Sequence, residues 1–225
     1  MGWLLVLLFW IAFAGTHMAL SSSSVRPRLV AGLSERGYQG LYSLVAFATF
    51  VPLVWIYWRH KHEGPLLWNF ADVPGVREVS IGLTALGFVF VALSFFQPSA
   101  TAQTFLEHAK IRARGVNRIT RHPLFAGIAI WGLAHVIVNG FLSDVLFFGG
   151  FAFYSVIGAA HQDSRKRSLA GDPLAAYYGE TSLVPFGAIA AGRNRLVLAE
   201  ISWPAVAIGI ALATALFWFH GALFG

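Results

Sequence analysis

Apolar residues in this chain come in long unbroken blocks. Six blocks stand out, at residues 2–20, 40–58, 80–96, 121–140, 141–160 and 203–219, separated by polar stretches rich in Arg, Ser, Gly and Pro. About 20 apolar residues in helical form cross the hydrocarbon core of a bilayer, and a helix satisfies its own backbone hydrogen bonds there. The pattern therefore predicts an all-α integral membrane protein, a bundle of about six transmembrane helices forming a single domain over residues 1–225. Block 2–20 lacks a basic leader and a small-x-small cleavage site, so it is expected to remain as a span rather than act as a signal peptide.

The punctuation sharpens this picture. Asn139-Gly140 turns the fourth block directly into the fifth, which predicts an antiparallel helical hairpin. Pro123 suits the first turn of the fourth helix. Gly127, Ala129, Gly132 and Ala134 are small enough for neighbouring helices to approach closely. Trp55, Tyr57 and Trp58 form an aromatic end to the second block, as expected at a membrane–water interface. Residues 59–77 contain Gly64-Pro65 and read as a loop. Residues 100–120 are basic and read as a short interfacial helix, and residues 161–202 as a cytoplasmic loop.

Composition adds the environment. The chain is 57% hydrophobic and 12% charged, with a mean hydropathy of +0.65, against about 25% charged in soluble domains. It has no cysteine, which removes thiolate ligands and thiol catalysis. The net charge of +6 reports topology and not nucleic-acid binding. The first, third and fifth loops hold 13 of the 16 Lys and Arg residues, and the second holds the other 3. Basic loops face the cytoplasm. Both termini are therefore expected outside it, on the periplasmic side of a bacterial inner membrane.

Histidines carry the candidate chemistry. His60, His62 and His108 lie in polar loops, His220 near the C-terminus and His161 beside the basic cluster, all in keeping with interfacial positions. His17 and His135 lie inside apolar blocks. An ionisable group there is a functional candidate. Two readings stay open: a histidine hydrogen-bonded to a neighbouring helix, or a metal ligand. With no cysteine and no acidic residue in the interior of a block, two imidazoles from different helices suit axial ligation of a haem iron better than a zinc or di-iron site. Trp131 lies one turn before His135 on the same helical face. Counting along straight helices puts His17 roughly 5 Å and His135 roughly 20 Å from the cytoplasmic edge, which strains the pairing and makes His122 the substitute ligand. At that edge Arg121, His122 and the Arg165–Arg167 cluster either mark the boundary and meet anionic headgroups, or hold an anionic cofactor or haem propionates.

These residues also carry a resemblance. His17 with Arg26-Pro27, the segment from Glu35 to Ser43, the loop Gly64-Pro65-Leu66-Leu67-Trp68, and Arg121-His122-Pro123 with residues 131–140 together resemble the NnrU family of bacterial membrane proteins, which is related to zeta-carotene isomerase. The resemblance is strongest over residues 1–165. It implies a haem b held by His17 and His135. Arg121, His122, Trp131 and Arg165 are the candidate cofactor-binding residues. It also implies redox-dependent isomerisation of a polyene lipid, or a role linked to nitrite and nitric oxide reduction. A cysteine proposed as an alternative iron ligand in the isomerase falls on Gly132 here. Separately, residues 121–127 are similar to the RHPxYxG segment of isoprenylcysteine-type methyltransferases, with Phe125 in place of the tyrosine. Leu169, Gly171, Tyr177-Tyr178 and Val184-Pro185-Phe186 loosely match their C-terminal pattern. That similarity implies S-adenosylmethionine as the alternative cofactor and a membrane methyltransferase as the alternative function. A non-enzymatic accessory subunit is the third reading. The implied partners are the lipid bilayer and an apolar polyene or lipid substrate.

Overall fold

A computed structural model describes residues 1–101, 112–167 and 174–224. His108, Lys110, Leu169 and Gly171 lie outside the described residues. The helices are α1 (Gly2–Ser21), α2 (Arg26–Arg59), α3 (Val76–Phe96), α4 (Pro123–Val138), α5 (Leu142–Arg167), α6 (Ala175–Glu180), α7 (Gly187–Ala190) and α8 (Trp203–Phe224). Helices α1, α2, α3, α5 and α8 are long and apolar enough to cross a membrane. The chain is an integral membrane protein with an all-helical fold. Helix α4 is apolar but has 16 residues, about 24 Å of rise, so as the sixth crossing it needs a bilayer locally thinner than the ~30 Å hydrocarbon core.

Several boundaries differ from expectation for physical reasons. Helix α2 starts at Arg26, inside the stretch read as a loop. Pro27 sits at its start, where no amide hydrogen is needed, and the chain kinks at Ser34, whose φ of 66° breaks the helical path. Helix α5 runs past the apolar block through Arg167, so the stretch read as a loop from residue 161 begins as helix. In the basic stretch before α4, a 3-10 turn covers Gly115–Arg118.

The chain divides into two compact units. The first comprises Met1–Arg77 and His135–Tyr154; the second comprises Glu78–Ala134 and Ser155–Gly225. In the first, α1 runs alongside the start of α5. Trp10 donates from Nε1 to the Phe147 carbonyl at 3.2 Å and meets Phe151 edge-on at 4.9 Å. Gly150 lies against the Trp10 ring, where a Cβ would collide. Tyr57 of α2 stacks flat on Phe147 at 3.8 Å. At one end, the loop after α2 zips onto the α4–α5 turn: Leu67 N–H to Gly140 O at 2.8 Å, and Leu142 N–H to Pro65 O at 3.0 Å. The tight turn read at Asn139-Gly140 is there. Gly140 is required because a Cβ would run into the Trp68 carbonyl.

In the second unit, α3 and α4 cross at glycines. A Cβ on Gly127 would sit 2.6 Å from the Gly87 carbonyl, and one on Gly87 would sit 2.8 Å from the Gly127 carbonyl. The close approach expected of Gly127 is thus observed. Ser80 Oγ seals the same pair by donating to the Ala134 carbonyl at 2.7 Å. Phe90, Leu93, Val116 and Ala205 form a buried cluster that ties α3 and α8 to the 3-10 turn.

Candidate functional site

Within the first unit, His17 sits in an aromatic shell. Its ring lies 4.2 Å from Phe13, 4.7 Å from Tyr42 and 6.1 Å from Tyr154 by ring centroids. Phe13 also meets Phe50 at 5.2 Å. Nδ1 of His17 is buried and makes no hydrogen bond. Such a group is costly to leave unmatched. His135 falls in the same unit. Its ring stacks on Phe148 at 4.6 Å and 24°, and its carbonyl takes the Asn139 side chain at 2.8 Å.

Both imidazoles lie along α5, one at Tyr154 and one at Phe148, six residues or about 9 Å of rise apart. That is closer than the straight-helix count gave. Among the described residues no group of three or more His, Cys, Asp or Glu side chains is placed to hold a metal ion. Axial ligation of a haem needs only two imidazoles. The donor set, the unbonded nitrogen and the apolar walls fit such a group.

Within the second unit, the segment Thr120–His122 is clamped to residues 181–186. Thr120 Oγ1 donates to Leu183 O at 2.8 Å, and the Arg121 amide to Ser182 O at 3.0 Å. Asp163 of α5 then collects both basic side chains: Arg121 Nε donates to Oδ2 at 2.7 Å and His122 Nε2 to Oδ1 at 2.8 Å. His122 is 3% exposed. Arg121 also donates to Thr181 O at 3.0 Å, and its cation lies 5.2 Å from the Tyr178 ring centre, with Arg167 at 4.1 Å from the same ring. Tyr177 donates to Asn117 at 3.1 Å; burial pushes its hydroxyl up to about 12. Arg165 follows Asp163 by two residues on α5 and is half-buried. Trp131 packs its backbone and Cβ on Gly87. The structure thus joins Arg121 and His122 through Asp163 and places Trp131 at the α3–α4 crossing.

Residues 4–225 match the family model described as NnrU protein. The chain belongs to the NnrU family. Among similar curated proteins are two plant enzymes named 15-cis-zeta-carotene isomerase, chloroplastic. The one from Zea mays is 29% identical over 191 residues, covering 85% of this chain and 52% of the relative. The one from Arabidopsis thaliana is 27% identical over 192 residues, with the same coverage. This NnrU-family chain therefore spans about half the length of those relatives. No solved structure matches it significantly.

Two carboxylates escaped the reading of the NnrU-family sequence. Asp163 is the partner of the Arg121-His122 pair. Its only sequence signal was its place beside the Arg165–Arg167 cluster. Asp144 lies in the first turn of α5, inside a block read as free of interior acids, and is 0% exposed. It accepts from Tyr57 Oη at 3.0 Å, from the His62 amide at 3.1 Å and from His62 Nδ1 at 2.8 Å. From the sequence, His62 is only an interfacial residue of a polar loop. The structure makes it the half-exposed partner of this buried acid.

Proposed function

We propose that this chain is a haem-b-binding membrane isomerase acting on the cis double bond of a polyene lipid. The observation that carries the reading is the buried, unbonded Nδ1 of His17, held in an aromatic shell in the same unit as His135. The two relatives named as zeta-carotene isomerases support the substrate class.

The chain's own residues have three tasks in this scheme. Phe13, Tyr42 and Tyr154 pack around the His17 imidazole and fix its ring, and Phe148 fixes the plane of His135. Phe50 and Phe151 extend the aromatic wall at 6.0 Å from each other, a surface on which a conjugated chain packs face or edge without losing hydrogen bonds. If bound, a haem would supply a redox-switchable electron centre. Isomerisation leaves the atom and electron count of the polyene unchanged, so no co-substrate is required.

The S-adenosylmethionine reading is weaker on chemistry. Asp163 already accepts from both Arg121 and His122, and a ligand carboxylate would have to displace it. The link to nitrite and nitric oxide rests on the family's name alone. We further place the chain in a bacterial inner membrane, with its basic loops inside and both termini outside.

The test is direct. Purified protein in liposomes is incubated with 15-cis-zeta-carotene, with and without dithionite, and the isomers are separated by chromatography. Conversion of the 15-cis bond only after reduction is expected. No conversion in either state by haem-loaded protein contradicts the isomerase reading.

A further inference from the structure

We propose that the second unit carries a binding site for the phosphate of an anionic lipid headgroup. The site is an open cavity of about 450 Å³ lined by Arg112, Arg118, Arg193, Arg195, Glu180 and Asn194. Four guanidinium groups and one carboxylate surround this space.

The arrangement goes beyond what topology demands. A positive-inside bias requires only that basic residues lie on one side. It does not require them to converge, nor to be held. Here three of the four are held by acceptors, two of which, Glu180 and Asn194, line the cavity themselves. Arg118 makes a two-pronged contact with Glu200, Nε to Oε2 at 2.7 Å and Nη2 to Oε1 at 2.9 Å, and reaches Asn194 Oδ1 at 2.7 Å. Arg193 donates to the carbonyls of Gly179 at 2.7 Å and Thr181 at 3.1 Å. Arg112 is paired with Glu180. The Asn194 amide donates to Glu180 O at 2.8 Å and so ties the two walls together. Arg195 alone has no side-chain partner among the described residues. An incoming anion meets one unengaged guanidinium and three already oriented, so little side-chain freedom is lost on binding. The fork of an arginine matches phosphate oxygens in pairs.

The neighbouring residues favour a lipid over a soluble phosphate. Directly after Arg195, Leu196, Leu198 and Trp203 are exposed at 43%, 58% and 57%. Trp203 opens α8, where an aromatic ring marks the level of the headgroups. A headgroup in the cavity would leave its acyl chains against these apolar side chains. Basic pockets at the cytoplasmic ends of membrane helices take such headgroups.

The experiment uses purified full-length protein in neutral detergent. Binding of phosphatidylglycerol, cardiolipin, phosphatidylcholine and inorganic phosphate is compared by native mass spectrometry and by thermal shift. The variants are Arg195→Gln, Arg195→Lys and, as a control in the second loop, Arg77→Gln. Arg195 supports no other side chain, so its loss should not unfold the protein; helix content by circular dichroism checks this. The expected result is preferential binding of the anionic lipids, weakened about fivefold in Arg195→Gln, largely kept in Arg195→Lys and unchanged in Arg77→Gln. Inorganic phosphate binding that is lost in Arg195→Gln, with no lipid preference, would keep an anion site but overturn the lipid assignment. Equal retention of all four ligands by wild type and Arg195→Gln would overturn the proposal altogether.

Discussion

Nε2 of His122 lies 2.8 Å from Oδ1 of Asp163, and the same carboxylate takes Nε of Arg121 at 2.7 Å. A carboxylate accepts and does not donate, so the His122 proton sits on Nε2. That bond engages Nε2 and leaves Nδ1 as the nitrogen open to a ligand, so the variants at His122 and His135 decide between the two. All three side chains are nearly buried, with exposures of 11%, 3% and 10% for Arg121, His122 and Asp163. Removing one partner of such a cluster strands the others. Asp163→Ala is therefore expected to destabilise the protein by about 3–5 kcal/mol, read as a lower thermal midpoint in detergent. A midpoint equal to wild type would show that the cluster is not structural.

The α3–α4 crossing predicts a contrast between two glycines. Gly127→Ala puts a methyl group against the backbone carbonyl of Gly87, which has no flexible end to move aside. A loss of about 1–3 kcal/mol is expected. Gly82→Ala meets nothing within 4 Å and gains helix propensity, so it should be neutral or slightly stabilising. Resistance to unfolding in graded denaturing detergent measures both.

Acid should weaken the pairing of the 3-10 turn with residue 200. Glu200 is held down from its ordinary 4.5 to about 2, first by the Arg118 hydrogen bond and then by the Gly115 amide. A depressed carboxyl stabilises the fold above its unfolded value and loses that contribution as pH falls through its folded value. The difference in thermal midpoint between wild type and Glu200→Gln should be steady above about pH 5, shrink below 4.5 and vanish near 2. A difference independent of pH would contradict it.

Topology is tested by fusion. A periplasm-active reporter placed after Gly225 should be active, and one placed after Arg195 inactive. A cytoplasmic C-terminus would overturn the orientation.

Much of the fold was legible because lipid imposes a simple rule: apolar blocks of sufficient length become helices. The Asn139-Gly140 hairpin and the Gly127 contact were readable for local reasons. The helical start at Arg26 and the extension of α5 to Arg167 were not, since polar residues continue a helix once it leaves the membrane and hydropathy loses its signal there. The site was half legible. His17 and His135 stood out because imidazoles are rare in apolar blocks. Asp144 and Asp163 did not, because a lone carboxylate near the end of a block looks like a boundary until Tyr57 and His62, or Arg121 and His122, are seen to converge on it.

The absorption spectrum of the purified protein tests the central claim most directly, in wild type, His17→Ala, His135→Ala and His122→Ala. Two axial imidazoles predict a low-spin haem b with sharp α and β bands on reduction. His17→Ala and His135→Ala should each lose or rearrange that spectrum, while His122→Ala keeps it in whatever protein remains folded. Full haem with an unchanged spectrum in His135→Ala, or a wild-type protein that takes up no haem when it is supplied, would contradict the account.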